Sequence, residues 1–145
     1  MFSGVSSLNV DSKGRLAIPA KHRDALLVRS EGRVVMTLSP DRCLLIYPEP
    51  DWIPVRDQLN SLSGAQTQVR RIIVGHAEEL ELDSAGRVLI PPRLRKIAGL
   101  DKEVALVGMG NKFELWDDGQ WNARVEAVMA IDPADLADQI LHMAE

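Results

Sequence analysis

With 145 residues, 46% of them hydrophobic, the chain can bury a core and is long enough for one domain or two small ones. No stretch approaches the roughly 20 apolar residues that a membrane helix needs. The N-terminus lacks the basic-then-apolar layout of a secretory signal, and the single Cys43 has no partner for an internal disulfide, so a reduced, cytoplasmic setting is expected.

In chain order, a strand over residues 5–10 enters an Asp-x-x-Gly turn at Asp11 and leaves as a second strand over 15–18. Gly14 sits where a tight turn demands positive φ, and Asp11 and Ser12 can bond back onto the turn backbone. Pro19 ends the strand and suits a helix start, predicting a helix over 20–27. A hairpin follows, 33–38 with 43–47, turning at Ser39-Pro40-Asp41. Val69, Ile72, Ile73 and His76 then fall at helical spacing, with Arg70 and Arg71 turned toward solvent or a neighbouring subunit. The pattern starts again with a strand over 80–82, a turn at Asp83 and Gly86, a strand over 87–90, a helix over 92–98 and a hairpin of 103–107 with 112–116. Helices over 117–129 and 132–143 complete the chain, the second with Asp132 as N-cap and Pro133 at its first position.

This recurrence is a duplication. Leu8-Asn9-Val10-Asp11-Ser12-Lys13-Gly14-Arg15-Leu16-Ala17-Ile18-Pro19 matches Leu80-Glu81-Leu82-Asp83-Ser84-Ala85-Gly86-Arg87-Val88-Leu89-Ile90-Pro91 at an offset of 72. Arg23 and Arg95 continue the echo, the hairpins resume it after a shift of two, and Trp52 and Trp121 follow. The organisation expected is a first repeat over residues 5–51, a helical connector over 52–76, a second repeat over 77–120 and C-terminal helices over 121–145.

A net charge of −4 argues only weakly against a nucleic-acid partner, because the charge is unevenly spread. Residues 1–100 hold 14 Lys and Arg against 11 Asp and Glu, whereas residues 101–145 hold 3 against 10. Four cations and no acid lie between Lys13 and Arg23, and again between Gly86 and Lys96. Phosphate contact needs local positive potential, not a positive total.

The paired motifs, with Met1-Phe2-Ser3-Gly4, Gly75-His76-Ala77 and Lys112-Phe113-Glu114-Leu115-Trp116, make the chain resemble the MraZ family over almost its whole length. That family is of the SpoVT/AbrB-like class. The resemblance implies an α+β fold of two tandem swapped-hairpin repeats forming a pseudo-dimeric β-barrel from one chain, where single-copy relatives intertwine two. It also implies a nucleoid-associated homo-oligomer, a ring, that binds short repeated sites in double-stranded promoter DNA upstream of the division and cell-wall gene cluster and represses it. The arginines of the family's Asp-x-x-x-Arg turns contact DNA, and they correspond to Arg15 and Arg87.

The chemistry of these side chains agrees. A guanidinium is a planar fork that can bond guanine O6 and N7 together in the major groove. It discriminates only if held still, and an Asp four residues earlier across a tight turn is placed to brace it. Arg15 and Arg87 are therefore candidate base readers, with Asp11, Asp83, Gly14 and Gly86 as positioning residues. Lys13 is a candidate phosphate contact whose counterpart is Ala85, so the two turns are expected to bind unequally. Lys21, Arg23, Arg93 and Arg95 are secondary phosphate candidates, and Arg23 and Arg95 could equally brace the fold or bridge subunits. Phe113 and the three Trp are expected in the core or an interface.

Two other classes of function are open to this sequence. An enzyme could pair Asp11 with Asp83 as general acid and base. However, His22, His76 and His142 recur at no matching positions, and no metal spacing, nucleophile set or phosphate-cradling glycine loop is present. Catalysis, metals, cofactors and membrane association are not expected. A structural assembly protein without specific DNA binding is the remaining alternative, since the C-terminal helices could serve oligomerisation alone.

Overall fold

The computed structural model describes the backbone of residues 1–144 and the side chains of residues 1–139. The first repeat comprises β1 (Val5–Asn9), β2 (Arg15–Ala17), α1 (Ala20–Ser30), β3 (Arg33–Leu38) and β4 (Leu44–Pro48). Then come α2 (Glu49–Asn60), a 3-10 turn (Gly64–Gln66) and α3 (Thr67–Ile73). The second repeat comprises β5 (Glu78–Glu81), β6 (Arg87–Leu89), α4 (Pro92–Ile97), β7 (Glu103–Gly108) and β8 (Phe113–Asp117). Helices α5 (Asp118–Met129) and α6 (Pro133–Ala144) follow. Helix α1 runs three residues past its expected end, to a left-handed Glu31 with φ 57°. The Asp132 carboxylate caps α6 by accepting the Ala134 N–H at 2.8 Å.

The strands exchange between repeats. β1 pairs with β7 of the second repeat, and β5 pairs with β3 of the first. The order is β1-β7-β8-β4-β3-β5, with β2 and β6 forming a separate antiparallel ribbon. Registers obey a two-fold relation: Asn9 opposite Glu103 answers Glu81 opposite Arg33, and Arg15 opposite Leu89 answers Arg87 opposite Ala17. The described pairings therefore make two sheets of opposite size, and the larger ends on β1 and β5 without closing into a cylinder.

The apolar runs of β3, β4, β7 and β8 reflect burial on both faces of the six-stranded sheet. Val34, Met36, Leu44, Ile46, Leu106 and Phe113 pack against the ribbon residues Leu16, Ile18, Val88 and Ile90, and against Leu26 of α1 and Leu94 of α4. On the other face Val35, Leu45, Tyr47, Val107 and Trp116 meet Trp52 of α2, Ile73 of α3 and Trp121 of α5. Each fully buried Leu, Ile or Phe contributes about 1.5–3 kcal/mol relative to exposure. Helices thus cover one face, while the ribbon with α1 and α4 covers the other. The ribbon is held by its inner side chains and its outer face stays free.

Candidate nucleic-acid interface

Both repeated turns close in the same way. Asp11 Oδ1 accepts the backbone N–H groups of Lys13 and Arg15, each at 2.9 Å, and Oδ2 accepts Arg15 Nε at 2.8 Å. Asp83 does the same for Ala85, Arg87 and Arg87 Nε, each at 2.9 Å. Gly14 and Gly86 have φ of 83° and 76°, a region L side chains rarely occupy. Their carbonyls bond across the repeats, Gly14 to the Ile90 N–H at 2.9 Å and Gly86 to the Ile18 N–H at 3.0 Å. Each turn is therefore stitched to the strand leaving the other.

The backbone N–H of Arg15 is the main reason the Asp11 carboxyl sits below the usual carboxylate range, followed among the lowering influences by the Arg15 side chain and the Lys13 N–H. Asp83 is lowered likewise, first by the Arg87 N–H. A general acid would need a raised value, and a shared-proton pair would raise at least one member. Both carboxylates are locked to their own arginines as ionised acceptors.

Ribbon alternation sorts the remaining groups. Leu16 and Val88 point inward at 0% and 1% exposure, so Arg15, Ala17, Arg87 and Leu89 share the outer face. Arg15 lies opposite Leu89, which makes Arg87 its diagonal neighbour, roughly 7–8 Å away at Cα by sheet geometry. The two arginines thus form one cluster on one ribbon. With Nε committed to the aspartates, their Nη groups make no hydrogen bond among the described residues.

The secondary candidates divide. Lys13, Lys21 and Arg93 are exposed. Lys21 Nζ lies 3.5 Å from where a Cβ on Gly4 would stand, and Arg93 lines a cleft with His76 and Glu78. Arg23 and Arg95 are half-buried. Arg23 Nη2 donates to the Ile18 carbonyl at 3.1 Å, and its Nε and Cδ occupy the space that a Cβ on Gly86 would need. Arg95 Nη1 lies 3.3 Å from the Cβ position Gly14 leaves empty. Each arginine reaches over the turn of the opposite repeat, which is bracing geometry. The outward Ala17 and Leu89, and Lys102 beside the first turn, were not singled out from the sequence; only the pairing of the two halves reveals them.

Phe113, Trp52 and Trp116 are buried and Trp121 is half-buried, all within the core clusters. Cys43 is enclosed and burial pushes its thiol up to about 12. Among the described residues no three His, Cys, Asp or Glu side chains gather as a metal site, and His142 lies outside the described side chains. No described helix is long and apolar enough to cross a membrane.

A family model described as "MraZ protein, putative antitoxin-like" matches the chain twice, over residues 1–72 and 73–139. The chain belongs to the MraZ family. The two matches follow the duplication that the strand registers show in space. Among relatives, the "Transcriptional regulator MraZ" of Methylobacillus flagellatus is 50% identical over 143 residues, covering 97% of each chain. The protein of that name from Chromobacterium violaceum is 54% identical over 143 residues, again 97% of each. That from Thioalkalivibrio sulfidiphilus is 54% identical over 124 residues, 83% of each.

Proposed function

We propose that this chain is a sequence-specific transcription regulator, a repressor of the division and cell-wall gene cluster, that binds short repeated promoter sites by laying the β2–β6 ribbon into the major groove. The observation that carries this reading is the pair Arg15 and Arg87 on the ribbon's outer face, each held at Nε by an aspartate and with no Nη hydrogen bond among the described residues. A two-stranded ribbon fits a groove about 12 Å wide, and two arginines roughly 7–8 Å apart span about two base-pair steps. Asp11 and Asp83 position the forks, Gly14 and Gly86 permit the turns, and Lys13, Lys21 and Arg93 supply phosphate contacts. Arg23 braces the second turn through the Ile18 carbonyl, and Arg95 reaches over the first.

So short a footprint yields useful affinity only when several copies bind together, which supports a ring in which neighbouring ribbons share one face. Val128 and Met129 of α5, 49% and 75% exposed, offer apolar surface for such association. The single chain stands for the two intertwined chains of one-copy relatives, its two sheets enclosing one core as a pseudo-dimeric barrel. The protein works in the cytoplasm at the nucleoid, by binding and without catalysis or cofactor.

The deciding experiment is a mobility-shift titration on the DNA upstream of the protein's own gene against a scrambled duplex. Arg15→Ala is expected to abolish discrimination between the two duplexes, a loss of about 1–3 kcal/mol per fork, while the variant stays folded and assembled. Retained discrimination by a folded Arg15→Ala protein defeats the assignment.

A further inference from the structure

The two turns are equivalent in backbone and unequal in charge. The carbonyls of Lys102 and Gly32 do the same work, accepting the N–H of Val10 at 2.8 Å and of Leu82 at 2.9 Å. Position 102 beside the first turn therefore answers position 32 beside the second. Around the first turn, Asn9, Val10, Asp11, Ser12, Arg95 and Lys102 line a groove of about 540 Å³. Lys13 is exposed on that same turn, and Arg95 Nη1 approaches Gly14. The charge of Asp11 is met by Arg15 at 2.8 Å, which leaves Arg95 and Lys102 as the cations lining the groove, with Lys13 exposed on the turn beside it.

The corresponding residues at the second turn are Glu81 for Asn9, Ala85 for Lys13, Arg23 for Arg95 and Gly32 for Lys102. One cation there faces one acid, and Arg23 is already turned onto the Ile18 carbonyl. The neighbouring strand pair does not reverse the contrast. Glu103 lies opposite Asn9 in the register but does not line the groove, while Arg33, opposite Glu81, is paired with Glu31 at 3.1 Å and Glu49 at 3.8 Å.

We infer that the groove beside the first turn is a phosphate-binding site, lined by Arg95 and Lys102 of the second repeat with Lys13 exposed on the adjoining turn, and that it holds a backbone phosphate of the duplex whose bases face the ribbon. The inference rests on the reading of the ribbon as the DNA-binding face. It adds Lys102 as a contact and makes the first turn the anchor of the pair. Ammonium and guanidinium groups around a concave pocket suit a phosphate oxygen, and each phosphate so neutralised adds about 0.9 to the slope of log K against log salt.

The test compares the native protein with Lys102→Ala, Lys102→Gln and Ala85→Lys on the upstream duplex and on a scrambled duplex across a salt series. Both Lys102 variants should weaken binding to the two duplexes by the same factor and lower the salt slope by about one, and Ala85→Lys should raise the slope by about one. An unchanged slope in both Lys102 variants, with Arg15→Ala still losing discrimination, overturns the groove and leaves the ribbon reading in place. Arg15→Ala binding both duplexes as the native protein does overturns the ribbon reading itself. Lys102 is exposed, so its variants should keep the native thermal midpoint.

Discussion

At the scale of single residues, each turn depends on a carboxylate with three acceptor contacts and on a glycine with positive φ. The carboxylates stay ionised because backbone N–H groups favour the charged form, so the brace on Arg15 and Arg87 holds through neutral pH and is lost only as pH falls through their lowered values. The glycines are not equivalent. Gly14→Ala should cost roughly 1–2 kcal/mol for its φ of 83° alone. Gly86→Ala should cost more, because its new methyl also meets Arg23 Nε and Cδ and displaces a half-buried guanidinium. Urea midpoints of the two variants check this, and equal losses would show that Arg23 gives way freely. The Asp-x-x-Gly-Arg turn is legible in sequence because its bonds close within four residues. The reach of Arg23 to Gly86 is not, because it runs between repeats.

Helix α1 adds a pH-sensitive contact at the scale of elements. His22 is 5% exposed, set against Phe113 at 4.9 Å and Phe2 at 5.8 Å between ring centroids. Its Nε2 is buried and unpartnered among the described residues. Burial pushes its pKa below the ordinary His value, and the charge of Lys21 adds to this. Above the unfolded value of about 6.5 both states are neutral and stability is full. As pH falls from there toward the lowered folded value, the unfolded chain takes up the proton first and stability is lost. Denaturant midpoints should therefore fall between pH 7 and pH 5, and His22→Leu should flatten that dependence; an unchanged slope in the variant assigns it to another group. The order of the repeat elements was legible from periodicity, Pro and Gly with ends shifting by a few residues, whereas α2 was covered only by a connector read as helical around Val69 to His76, and His76 itself falls after α3. Helix α2 opens at Glu49, with Glu49 and Asp51 in its first turn and Pro at its start. Those acids and Pro50 are an N-terminal signal that sequence reading could have used.

For the whole molecule, the exchange of β1 and β5 makes the halves interdependent. A fragment of residues 1–76 keeps β3 and β4 but loses β7 as partner for β1, β5 as partner for β3 and β6 as partner for β2. Unpaired strand edges over an incomplete core favour either association or unfolding. The fragment should therefore sediment as a dimer that rebuilds the exchange or give no cooperative melt, and mixing it with residues 77–145 should restore a single transition. A stable, cooperatively folded monomer of residues 1–76 would refute the interdependence.

The sequence by itself determined the duplication, the turns and the order of helices and strands, because these rest on local spacing and backbone preference. It also marked Arg15, Arg87 and their aspartates, whose relation is a matter of four residues. Only the tertiary structure decided which strand pairs with which, and that set the distance between the two arginines. Placing β2 against β6 turns two distant motifs into one ribbon with a common outer face. The pairing of β1 with β7 carries Lys102 to the first turn beside Arg95, while their counterparts at the second carry less charge. Hydrogen bonding between repeats is non-local, so charge differences scattered along the two copies gather into an unequal pair of surfaces only when the chain folds.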